Sequence, residues 1–139
     1  MNKHLFSIGL CVALASAAAQ AEDVNVSKLP AAASKTGVTF DTDIKPIFEK
    51  SCYKCHGPEV EKPKGKFRAD TRASVLKGGG EGASVTPGDI KKSSLLAMIA
   101  YVTADEELYM PPKENKAKIA PLSKEEVSLV RAWIEQGAK

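Results

Sequence analysis

Cys52-Tyr53-Lys54-Cys55-His56 constrains this chain more than any other feature, because it sets two thiols three residues apart and an imidazole directly after the second. Residues three apart on a helix lie on one side, so both sulfurs can reach the two vinyl groups on one edge of a porphyrin. The next residue then places its imidazole under the metal. The C-x-x-C-H spacing therefore reads as covalent haem attachment through Cys52 and Cys55, with His56 as an axial iron ligand.

Three plainer readings compete with it. A structural zinc site takes about four protein ligands, and downstream of His56 no Cys or His remains. A carboxylate would have to complete the set, and nothing singles one out. A thioredoxin-type C-x-x-C belongs in a βαβ context, which the patterning does not supply. A structural disulfide is open to any exported chain.

Export is the expectation from the first 21 residues. Lys3 supplies the positive start, Leu5 to Ala19 is apolar and small, and Ala19-Gln20-Ala21 is an A-x-A cleavage site followed by Glu22-Asp23. An uncleaved anchor is the alternative, but the apolar run is short of the roughly 20 residues of a span. Acylation at Cys11 is rejected, since Leu10 before it is too large for a lipobox. Cleavage after Ala21 places the mature chain in the periplasm, with no other apolar run long enough to span a membrane.

Cleavage also simplifies the inventory. Removing Lys3 from the twenty basic residues leaves nineteen against seventeen acidic, a net charge of +2. So small a surplus argues against a nucleic-acid partner. Hydrophobic residues are 43% and charged residues 27%, which excludes disorder, while aromatics are only 6%. One haem would add apolar surface that the side chains lack.

Counting bears on the second axial ligand. His4 departs with the leader, so His56 is the last histidine and bis-His ligation is excluded. Met98, Met110, another side chain such as Lys, or water remain. Met98 falls inside an apolar helical stretch, where core packing is expected. Met110 is followed by Pro111-Pro112, which stiffen the chain and remove two backbone donors, suiting a loop that holds a thioether on iron. Met110 is therefore the favoured ligand, Met/His being the usual cytochrome c pair. A saturated iron points to electron transfer rather than catalysis.

Hydropathy patterning divides the chain into a leader or linker at 22–37, expected to be solvated or loosely docked, and one domain at 38–139. The first helix is expected from about Thr42 to Lys54, capped by Asp41, Thr42 or Asp43, with Pro46 tolerated in its first turn and Ile44, Ile47, Phe48 and Cys52 on one face. Residues 57–92 form a long connection with turn signals at Gly78-Gly79-Gly80 and Pro87-Gly88. A loop this long is unusual unless it wraps something. The second helix starts near Ser93 or Ser94, its apolar face being Leu95, Leu96, Met98, Ile99 and Val102. The third opens on the capping box Ser123-Lys124-Glu125-Glu126 and buries Val127, Leu129, Val130, Trp133 and Ile134, with Gly137 as its C-terminal cap. No strand is expected. The run Gly78 to Gly82 lacks the G-K-[ST] ending of a phosphate loop.

The stretch from Phe40 to Lys139 resembles the planctomycete-type cytochrome c domain, a relative of the class I cytochrome c fold. The resemblance rests on Ile44-Lys45-Pro46-Ile47-Phe48, Cys52 to Pro58, Lys64 to Arg72, Gly79-Gly80, Pro87-Gly88-Asp89, Ser94-Leu95-Leu96, Met110-Pro111-Pro112, and Trp133-Ile134 with Gly137-Ala138. It departs from the family at Phe67 and Ala69, where Leu is common. The resemblance implies an all-α, class I cytochrome c-like fold, with three main helices around one covalently bound haem c and a long irregular loop between the first and second. It also implies His56 and Met110 as the axial pair, and Phe48 crossing Trp133. Such domains often sit in larger multidomain proteins, so the family does not supply a partner.

Lesser expectations concern the surface. Arg68 and Arg72 are candidates for haem-propionate contacts, or are simply solvated. Lys113, Lys116, Lys118 and Lys124 flank the Met110 loop, where they would steer an acidic redox partner or form only a polar face. The function expected is one-electron transfer between a protein donor and acceptor. The alternatives are a peroxidase-like enzyme or small-ligand sensor with a displaceable sixth ligand, and a module docking a larger complex.

Overall fold

Helix formation around the C-x-x-C-H motif begins at residue 40 in the computed structural model, which describes residues 23–139; the expected export segment, 1–21, lies outside them. A π-turn (Phe40–Ile44) runs into α1 (Lys45–Ser51), and after an irregular Cys52 the chain continues as α2 (Tyr53–His56). Further along come α3 (Arg72–Lys77), α4 (Ser94–Ile99) and α5 (Lys124–Glu135), linked by turns and short 3-10 segments. Among the described residues the fold is all-α, with only two isolated bridges, Gly79 to Gly82 and Thr86 to Asp89.

The expected first helix is thus present but broken. Pro46 sits in the first turn of α1, where its missing N–H has no partner to lose. The expected caps Asp41, Thr42 and Asp43 instead lie inside the π-turn, whose N-cap Thr39 makes no side-chain cap bond; Asp43 reaches back, its carboxylate accepting the Thr39 N–H at 3.0 Å and an ion-pair hydrogen bond from Lys35. Ile44, Ile47 and Phe48 are buried, as their spacing requires.

α5 supplies the wall opposite. Its capping box is complete: Glu126 N–H donates to Ser123 Oγ at 3.1 Å and Ser123 N–H to Glu126 Oε2 at 2.8 Å. Val127, Val130, Ala132, Trp133 and Ile134 are buried, and Leu129 packs half-buried beside them. Gly137, at φ +93°, ends the helix in a Schellman motif, with Gly137 N–H bonding Ile134 O at 3.0 Å and Ala138 N–H bonding Trp133 O at 2.8 Å.

The aromatic crossing differs from the expected one. Phe40 makes the ring contact with Trp133, at 5.8 Å between centroids, and Phe48 meets Phe40 edge-on at 6.1 Å. The π-turn carries Phe40 into the space between α1 and α5, so Phe48 reaches the clasp through it. Burial of each such side chain is worth about 2 kcal/mol. Trp133 Nε1 and Phe40 N both donate to Lys139 O at 2.8 Å, satisfying polar groups that the aromatic core would otherwise strand.

Three further expectations need correction. The long connection contains α3, whose start is capped by Thr71 Oγ1 accepting from Ser74 N at 3.1 Å and whose Val75 is buried. Met98 is not a core residue of α4: Leu95, Leu96, Ala97 and Ile99 are buried while Met98 stays half-exposed. The segment before the first helix is docked rather than loose. Val24 and Leu29 are buried, Val24 N–H bonds Lys91 O at 2.8 Å, Ala33 N–H bonds Ser128 O at 3.0 Å, and Arg131 donates to Pro30 O at 2.8 Å. A strap whose only regular element is the 3-10 turn Val26–Lys28, held by backbone bonds, needs no amphipathic or alternating pattern, so its docking leaves little trace in hydropathy.

Candidate haem site

Cys52 sits at the α1–α2 break and Cys55 within α2, both half-buried free thiols with no disulfide between them. Burial pushes the Cys52 thiol up to about 12, and the neighbouring Cys55 pushes the same way. A thiol held protonated is opposite to the lowered, reactive thiol of a redox C-x-x-C. Among the described residues no three His, Cys, Asp or Glu side chains converge as a metal cage.

His56 ends α2 with its ring oriented. Nδ1 lies 3.1 Å from Phe67 O, and a carbonyl only accepts, so Nδ1 carries the proton and Nε2 keeps a free lone pair. Burial lowers the His56 pKa; the Phe67 carbonyl opposes this and the Lys64 charge reinforces it, with the net shift downward. A neutral imidazole with one nitrogen hydrogen-bonded and the other free is the form that ligates a metal. The Phe67 ring meets the imidazole edge-on at 5.4 Å.

The segment that supplies this carbonyl is laced to the motif. Ala69 N–H donates to His56 O at 2.9 Å, and Arg68 donates to Gly57 O at 3.0 Å and Val60 O at 2.9 Å. Gly57 permits the close return: a Cβ there would stand 2.5 Å from Tyr53 O. Tyr53 in turn donates to Asp70 O at 3.2 Å. Arg72 is drawn the other way, its Nε donating to Ala138 O. Both arginines therefore brace backbone carbonyls, a role their positions in the sequence did not reveal. The Phe67 carbonyl was equally hidden, since a backbone acceptor leaves no mark on residue type.

Met110 packs half-buried against the core, its N–H donating to Met98 O at 3.1 Å. Pro111 after it is buried, and the Tyr101 hydroxyl donates to Pro111 O. Lys113, Lys116, Lys118 and Lys124 are exposed, as a steering patch requires, but Lys113 is paired with Glu106 at 2.7 Å and stands 5.1 Å over the Tyr109 ring. Exposed Asp105, Glu106 and Glu107 dilute the positive field further.

The donor set fits a covalently held porphyrin iron: two unpaired thiols, a neutral imidazole with Nε2 free, and a thioether at the edge of the core. A cavity of about 480 Å³, lined by residues such as Leu29, Ile99, Tyr101 and Leu122, includes none of Cys52, Cys55, His56 or Met110. Among the described residues no helix is long and apolar enough to cross a membrane.

Residues 52–114 match the family model described as planctomycete cytochrome C. The matched segment starts at the first cysteine of the motif and ends beyond Met110, so it holds all four donors but neither α1 nor α5. No curated protein and no solved structure matches the chain.

Proposed function

We propose that this chain, which carries a planctomycete cytochrome C domain over residues 52–114, is an exported single-haem electron carrier working in the periplasm. The observation that carries the reading is the His56 Nδ1 bond to Phe67 O, which leaves Nε2 free beside two unpaired thiols. When bound, the haem iron supplies a one-electron ferrous–ferric couple.

The chain's own residues do the rest. Cys52 and Cys55 tether the group through thioethers, so it cannot exchange. His56 Nε2 and Met110 Sδ would hold the iron, a pairing that would favour the reduced metal and raise the potential. With both ligands in place no substrate would reach the metal, which would separate a carrier from a peroxidase-like enzyme or sensor. Arg68 and Arg72 meet the propionates only with guanidinium donors left over from their carbonyl bonds. Protein partners of either redox role dock where the haem edge nears the surface.

The test is an optical spectrum and a pyridine haemochrome assay on protein made with haem-maturation machinery, together with an intact mass. One haem per chain, added mass and the weak far-red band of Met–iron ligation are expected. A colourless product without added mass overturns the proposal. A high-spin ferric spectrum that shifts with peroxide or CO replaces the carrier with the enzyme or sensor.

A further inference from the structure

α4 and α5 end in the same motif with different residues. In both, the N–H of the second residue past the cap returns to a carbonyl three residues inside it: Val102 to Ala97 at 3.0 Å, and Ala138 to Trp133 at 2.8 Å. Both need the left-handed conformation at the intervening position. α5 places Gly137 there, at φ +93°, whereas α4 places Tyr101, at φ +59°. Glycine meets that demand without steric cost, while a bulky aromatic side chain there is an outlier. A strained position of this kind points to a role for the side chain it carries.

The Tyr101 side chain makes two directed contacts to the Met110 loop. Its ring stacks on Tyr109 at 4.3 Å between centroids, with planes 12° apart. Its hydroxyl donates to Pro111 O. Residues on both sides of Met110 are therefore held by one tyrosine. Met110 itself is tied to the same turn, since Met98 O accepts from both Met110 N at 3.1 Å and Tyr101 N at 3.3 Å. Lys113, paired with Glu106, stands over the Tyr109 ring.

From this we infer that Tyr101 is the positioning residue of the Met110 loop, clamping it by stack and hydrogen bond so that the thioether stays on the iron against competing ligands. The inference rests on the proposed ligation by Met110 and adds the group that governs its strength.

Two variants of the haem-loaded protein separate clamp from cap. Tyr101→Phe keeps the ring and loses the hydroxyl. Tyr101→Gly installs the residue the turn favours and removes the clamp entirely. Binding of imidazole to the ferric protein, and amide exchange at Tyr109, Met110 and Lys113, are the readouts. Loss of one hydrogen bond predicts about fivefold tighter imidazole binding in Tyr101→Phe, with a larger rise in Tyr101→Gly and faster exchange at the three amides in both. The unfolding midpoint of Tyr101→Gly is not expected to follow these changes. Wild-type imidazole affinity and exchange in both variants overturn the inference. If the wild type lacks the far-red band, ligation by Met110 falls instead, and amide exchange alone decides whether Tyr101 clamps the loop.

Discussion

Phe40 and Trp133 meet with ring centroids 5.8 Å apart and planes inclined at 49°, both side chains almost wholly buried. Phe40→Ala removes the ring that fills the space between the π-turn and α5. A loss of about 3–5 kcal/mol is expected, read as a lower denaturant midpoint. Phe48→Ala removes the outer member of the same cluster and falls in the same range. An unchanged midpoint in Phe40→Ala would show that the clasp does not hold the fold.

Met98 and Met110 offer the two thioethers outside the leader. Met110→Ala is expected to abolish the far-red band and lower the potential, with the ferric iron becoming high-spin or taking up water. Met98→Ala is expected to keep the band, since its main contribution is a backbone carbonyl. The reverse pattern would move the ligand to α4.

Asp43 carries the pH dependence of the first turn. The Lys35 hydrogen bond, followed by the Thr39 N–H, holds its carboxyl below the ordinary value of 3.8. A carboxylate depressed in the folded state adds stability above its unfolded pKa, and that share fades as pH falls through the folded value. Lys35 is half exposed, so the gain is small and screened by salt. Unfolding midpoints of wild type and Asp43→Asn should therefore differ at neutral pH and converge as pH falls through the folded value of the carboxyl. A constant difference across that range would assign the effect to packing.

Gly78 and Gly37 are both left-handed, at φ +79° and +67°, but only one is crowded. A Cβ at Gly78 would stand 2.0 Å from Gly82 O, while one at Gly37 meets nothing within 4 Å. Gly37→Ala should cost about 1 kcal/mol from conformation alone. Gly78→Ala should cost clearly more, because the Gly79–Gly82 turn must open. Equal unfolding midpoints would mean that the turn gives way freely.

Legibility followed the kind of interaction. Side-chain spacing marked the Ser123–Glu126 box, the α5 stripe and the role of Gly137, because each is written in residue types at fixed intervals. α3 escaped notice because six residues with a single apolar pair make no periodic signal. Phe40 was overlooked as the partner of Trp133 because a π-turn shifts the facing positions that helical spacing assumes. The Phe67 carbonyl, the strap before residue 38 and the carbonyl bonds of Arg68 and Arg72 all depend on backbone atoms, which every residue shares. Met98 was assigned to the core by its neighbours' hydropathy, yet the short α4 turns it outward.

The aromatic clasp also orders events in time. Phe40 precedes the motif and Trp133 follows it by most of the domain, so neither wall can shut until the last helix has been delivered. Until then Cys52 and Cys55 belong to an unfinished, reachable strand. The tethering proposed above would have its opportunity in that interval, and closure afterwards would seal the group in.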